Sequence, residues 1–201
     1  NYLSEKFGNP QITSIIGDSA MEGKEMRFGI ASTSLFSTVT TAASCGAVNA
    51  MHDSLTPIAG MITMLQMMLG EIIIGGVGAG FYGMILYVIL SVFIAGLMIG
   101  RTPKYMGKKI EAPEMSFAVI AILLPSICIL AFSAITLMIP SALESLSNPN
   151  SHGITQILYA FTSASANNGS AFAGLSGNTS YFNYALAFCM FVGRFGIIVL
   201  V

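Results

Sequence analysis

From Phe28 to Gly100 the chain carries no lysine or arginine and only two acids, Asp53 and Glu71; from Ser116 to Val201 its only fixed charges are Glu144 and Arg194. Apolar stretches this long exceed the roughly 20 residues that cross a bilayer. Only 8% of the residues are charged and the mean hydropathy is +0.77, whereas soluble domains carry about a quarter charged residues. Water is therefore not the only solvent, and an ordinary soluble globule is excluded. The fold class expected is all-α: a polytopic membrane protein whose spans are interrupted by re-entrant segments.

The few charges are clustered. Arg101, Lys104, Lys108 and Lys109 share one short loop, and such basic loops lie on the cytoplasmic side. Cys45, Cys128 and Cys189 are too far apart to suggest a disulfide framework or a metal site. Asn1 to Met26 is polar and lacks the apolar run of a signal peptide. The chain starts in a loop and stops in the apolar run 195–201, so it reads as a piece of a longer protein.

Four stretches follow from this pattern. Residues 1–30 read as an extracellular loop. Residues 31–100 read as a short hydroxyl-rich segment, an irregular turn near Ser44 to Asp53, and a broken inner helix. Residues 101–115 are the basic cytoplasmic loop, and 116–201 repeat the arrangement. A helix is expected to start at Thr56 as N-cap with Pro57 in its first turn. As one straight helix, 54–100 would run roughly 70 Å against roughly 30 Å of hydrocarbon. It must break, and Gly75-Gly76-Val77-Gly78-Ala79-Gly80 is where. Ser116 to Pro140 reads as a span with a potential kink at Pro125. Ser141 to His152 reads as a polar loop, 154–164 as a segment too short to span, and 181–201 as the last span.

The two halves are weak repeats of each other. Setting Gly46 against Gly169 aligns Thr40 to Val48 with Ser163 to Ala171: low identity, matching chemistry. Non-helical backbone survives at membrane depth only where protein buries it or water reaches it. A short helix entering from outside points its partially negative end inward, and the carbonyls that follow can replace the hydration of a cation. No positive residue adjoins either turn, so a cation is favoured over an anion. Ordinary small loops between helices remain the plainer reading of spacing alone.

Four motifs carry a resemblance. They are 44–53 (SCGAVNAMHD), 93–110 (FIAGLMIGRTPKYMGKKI), 166–172 (ANNGSAF) and Gly193-Arg194-Phe195-Gly196. In this order they closely resemble the potassium-binding A subunits of Kdp-type potassium-transporting ATPases, from about Met21 to the end of the chain. That family implies four pore-loop repeats around one pore, of which this chain would hold the third and most of the fourth. The resemblance implies filter positions at Ser44, Cys45, Gly46, Asn167, Asn168 and Gly169. It implies an intramembrane gate at Gly75, Gly76, Gly78 and Gly80, and charged positions along the ion route at Glu71, Arg101 and Arg194. K+ would be the transported ligand, with no covalent cofactor. ATP would be used by a P-type ATPase partner, with a single-span accessory subunit and a small accessory peptide beside it, in a prokaryotic inner membrane.

Single residues admit plainer readings too. An arginine inside an apolar span costs at least about 2.5 kcal/mol, so Arg194 is a functional residue or an anchor pairing with Glu71 or loop carbonyls. Glu71 reads as functional or as a carboxylate snorkelling to the inner interface. The glycine run lies between apolar helices, which argues against a phosphate cradle and for a hinge. His52-Asp53-Ser54 are contiguous and cannot form a hydrolase triad; they read as a cap for the next helix and a ring at the outer mouth. Asn168-Gly-Ser170 and Asn178-Thr-Ser180 match glycosylation sequons by chance, and the thirteen methionines are packing. The competing function is a cation-coupled secondary transporter with broken helices.

Overall fold

The computed structural model describes residues 1–8, 21–72, 74–148 and 150–201. Along these, α1 is Tyr2–Phe7, α2 Gly29–Ala42, α3 Pro57–Met68, α4 Ala79–Met98, α5 Ala112–Leu137, α6 Pro140–Leu143, α7 Ser151–Ala166 and α8 Ser180–Phe191. A π-helical turn, Val192–Gly196, joins α8 to α9, Ile197–Leu200.

Among the described residues three stretches are long and apolar enough to cross a membrane: Ala79–Met98, Ala112–Leu137 and Ser180–Leu200. Leu97, Leu130 and Val199 on them are largely exposed, as side chains facing lipid are. The helices α2 and α7 hold 14 and 16 residues, and at 1.5 Å per residue both stop short of a full crossing of about 30 Å. The all-α membrane fold expected from the hydropathy is the one observed, with one addition. Lys104–Tyr105 and Lys108–Lys109 pair as strands β1 and β2 of a small hairpin. Met106 and Gly107 at its tip both have positive φ, the type I′ geometry that matches strand twist.

The repeat is visible in the elements. Helices α3 and α8 both hold 12 residues and both follow a threonine N-cap, Thr56 and Thr179. They stand at the same spacing that sets Gly46 against Gly169. Beyond them the halves diverge. After α3 the chain leaves the helix until Ala79, whereas after α8 it stays helical through the π-turn. By the same spacing Glu71 and Arg194 occupy equivalent positions with opposite charge.

Helix α7 forms the centre of the bundle. Ile157, Tyr159 and Phe161 are fully buried, and Phe182 and Cys189 of α8 pack on its far side. The Ser165 hydroxyl donates to the Pro125 carbonyl in α5 (3.3 Å). Helix α2 buries hydroxyls instead of alkyl groups. Ser34 donates to the Ile30 carbonyl (2.7 Å) and Thr38 to that of Ser34 (2.8 Å), so the helix backbone accepts from these hydroxyls.

Three local expectations change. The stretch read as an N-terminal loop carries α1, whose Glu5 is fully buried and ion-paired with Lys24 (2.7 Å); residues 9–20 lie outside the described ones. Thr56 is the N-cap of α3, but its side chain does not cap. Glu5 accepts from its backbone N–H (2.7 Å) and its hydroxyl (2.8 Å), because a carboxylate at a helix N-terminus answers both free donors and dipole. The polar loop at 141–152 includes the end of α6 and the start of α7, and its Pro149 lies outside the described residues.

Removing one partner of a buried ion pair costs about 3–5 kcal/mol. Glu5→Ala should therefore lower the thermal midpoint of the full-length protein in detergent by several degrees. Glu22→Ala, on an exposed position, should leave it within about 0.5 kcal/mol of the parent.

Candidate functional site

Both short helices end in the same turn. Ser44 follows α2 with φ 54° and Asn167 follows α7 with φ 57°, left-handed values that turn the chain sharply out of the helix. One residue on, the Cys45 N–H donates to the Thr40 carbonyl and the Asn168 N–H to the Ser163 carbonyl, both at 3.0 Å. The hydroxyl of Thr40 donates to the Ala47 carbonyl (2.9 Å), and that of Ser163 to the Ser170 carbonyl (2.7 Å). Two unlike sequences thus build one hydrogen-bonded turn twice.

The turns meet at their glycines. A methyl group at Gly46 would lie 2.8 Å from the carbonyl carbon of Gly169, 2.9 Å from its oxygen and 3.0 Å from the Asn168 oxygen. Gly169 has φ 88°, whereas Gly46 is absent from the positive-φ residues. Gly46 is needed for close approach alone, whereas Gly169 takes a left-handed conformation. Cys45, Gly46 and Gly169 are exposed and Asn168 is buried.

Below the turns, the break after α3 is wound tightly. Gly70, Glu71, Ile74 and Gly78 all have positive φ. A methyl group at Gly75 would lie 2.6 Å from the Gly80 Cα, and one at Gly76 would lie 2.8 Å from the Cβ of Ser44. The loop therefore packs directly on the first turn. Glu71 is buried, and its Oε1 accepts from Asn168 Nδ2 at 2.7 Å.

A cavity of about 340 Å³ opens beneath, lined by Glu71, Gly76, Gly78, Asn167 and Arg194. Arg194 lies in the π-turn, directly after Gly193, where any side chain would collide with the Ser165 carbonyl. Among the described residues no ion pair within 4 Å joins Arg194 to Glu71, so the anchor reading of that pair is not what the structure holds. Arg101 is exposed at the far end of α4 and lines no part of this cavity.

His52 and Asp53 do not cap α3 as expected. They join the two halves above the turns. Asp53 accepts from His152 Nε2 (2.6 Å), Gln156 (3.1 Å) and Asn148 (3.2 Å), and its N–H donates to the Phe172 carbonyl (2.8 Å). His52 Nδ1 bonds the Tyr159 hydroxyl (2.8 Å), which reaches the Ser170 hydroxyl (3.0 Å). Burial pushes the His52 imidazole down to about 4, so it is neutral near pH 7.

Residues 1–201 match the family described as "Potassium-transporting ATPase A subunit". The chain belongs to that family. It is 59% identical to a relative from Brucella anthropi and 57% identical to one from Rhodopseudomonas palustris, each over 98% of this chain. A relative from Salmonella paratyphi B is 56% identical over the same share. All three are named "Potassium-transporting ATPase potassium-binding subunit". The chain spans about a third (35%) of their length.

Within the A-subunit family context the structure gathers Ser44, Cys45, Gly46, Asn167, Asn168 and Gly169 into one place, with Gly75, Gly76, Gly78, Gly80 and Glu71 beneath and Arg194 across the cavity. Arg101 stands apart. Sequence reasoning missed Thr40 and Ser163, which hold the turn carbonyls, and His152 and Gln156, which hold Asp53. The first pair left a signal: both are hydroxyl residues at matching positions of the aligned halves. The second pair left none.

Proposed function

We propose that this chain supplies the third and fourth parts of a four-part potassium filter in the potassium-binding subunit of an ATP-driven uptake complex. The observation that carries this reading is the doubled turn. Two short helices each end in a left-handed residue, and the turns they open meet backbone to backbone at Gly46 and Gly169. Helix C-termini carry partial negative charge, and carbonyls held by Thr40 and Ser163 are fixed donors of electron density for a dehydrated cation. The cavity under the turns is the first station after the filter on a route toward a P-type ATPase subunit. In this reading the chain binds and passes K+ without hydrolysing ATP, which its partner uses. A single-span accessory subunit and a small peptide complete the assembly in a prokaryotic inner membrane.

The test uses the full-length subunit reconstituted with its ATPase. Gly169→Ala, strained at φ 88°, should raise the K+ concentration for half-maximal uptake about tenfold and weaken discrimination against Rb+. Unchanged affinity and discrimination would remove Gly169 from the filter.

A further inference from the structure

We propose that Glu71 is a positioning residue for the filter, its carboxylate tying the fourth-repeat turn, through Asn168, to the loop that packs on the third-repeat turn. The proposal rests on the filter reading above and adds a role for a side chain that holds a filter residue in place.

The bond from Asn168 Nδ2 to Glu71 Oε1 is 2.7 Å, and both side chains are about 95% buried (relative exposures 4% and 5%). That length is typical of a charge-assisted hydrogen bond. The amide cannot be turned over. Asn168 Oδ1 accepts the N–H of Ser170 at 3.0 Å, so a flip would set an NH2 group against that N–H and an oxygen against the carboxylate. Asn168 is thus locked between Glu71 and the backbone of its own turn. Its second donor contact, with the Thr41 carbonyl (3.4 Å), reaches the end of the other short helix.

The third-repeat turn is held through the loop itself: a methyl group at Gly76 would lie 2.8 Å from the Ser44 Cβ. A carboxylate oxygen accepts, and the donor to Glu71 Oε1 comes from the fourth-repeat turn, while among the described residues Arg194 makes no ion pair with it. Glu71 lines the cavity, yet its Oε1 is engaged by Asn168 of the filter turn and not by Arg194. The backbone supports this aim: Glu71 has φ 51°, an unusual value for a residue with a side chain, and Gly75 folds back onto its carbonyl.

A consequence is that ion occupancy of the turns and conformation of the loop move as one unit. Hydrogen-bond acceptance, more than charge, does the positioning. Glutamine keeps an acceptor for Asn168; alanine does not. The double change Glu71→Gln with Asn168→Asp restores the pair with the donor reversed.

The experiment measures K+ dependence and K+/Rb+ discrimination of uptake by the full-length subunit in its complete ATPase complex, with Gly169→Ala as the reference for the filter itself. Glu71→Ala is expected to raise the half-saturating K+ concentration about tenfold or more and to narrow discrimination. Glu71→Gln is expected to stay within about twofold of the parent in both, whatever happens to maximal rate. Asn168→Asp should resemble Glu71→Ala, and the double variant should recover toward the parent. If Gly169→Ala shifts affinity but Glu71→Ala does not, the inference is overturned and the filter stands. If Glu71→Gln is as impaired as Glu71→Ala in affinity, or the double variant recovers nothing, charge and not positioning is the role, and the inference again falls. If Gly169→Ala changes nothing, the filter reading fails and takes this inference with it.

Discussion

Replacing Gly46 by serine or aspartate is expected to cost the full-length subunit at least about tenfold in apparent K+ affinity and to admit Rb+ and Na+. The cause is contact, since a Cβ there would lie within 3.0 Å of three backbone atoms of Asn168 and Gly169. Backbone is the least able of neighbours to give way, so the two turns must separate or rotate. Either movement redirects the carbonyls that Thr40 and Ser163 hold. Alanine should already show most of the effect, because Cβ alone makes the collision. Aspartate adds a carboxylate that can bind a cation without selecting among them. Initial rates of K+, Rb+ and Na+ uptake in proteoliposomes check this. Parent-like affinity and selectivity in Gly46→Ala would mean that the contact of the two turns is not where ions are chosen.

The second large effect concerns the loop. Removing Gly76 to Gly80, or changing Arg194 to Ala, should convert ATP-coupled uptake into a passive potassium leak, with hydrolysis continuing but uncoupled. Both structures line the same cavity under the turns. The loop fills space immediately beneath Ser44, and a guanidinium in an apolar span presents a fixed positive charge to any cation passing straight through. Arg194→Lys should leak far less than Arg194→Ala, since the barrier is the charge. Flux measured without ATP decides the matter. If neither variant leaks and uptake stays fully ATP-dependent, the loop is packing and not a gate.

How much of this was legible beforehand depends on the range of the forces involved. The membrane class, the two helices too short to cross, and the break at Gly75–Gly80 follow from the chain itself. Hydrocarbon thickness and the absence of water act on every residue alike, and glycine is unfavourable in a helix by about 1 kcal/mol wherever it stands. Local identity also placed Thr56 at a helix start and matched Thr40 with Ser163. What it could not supply was direction. Thr56 was read as a side-chain cap, yet a carboxylate 51 residues earlier does the capping. His52 and Asp53 were read as belonging to the next helix, yet they clasp residues about a hundred positions away. Gly46 and Gly169 looked alike and are glycines for different reasons, one for contact and one for φ. The Glu71–Asn168 bond joins residues 97 apart. A hydrogen bond needs its two atoms within about 3 Å and in line, and only the packing of α2, α3 and α7 around one another brings these pairs to that distance. Solvent and backbone preference decided which segments are helices; tertiary packing alone decided which polar groups face each other at the turns.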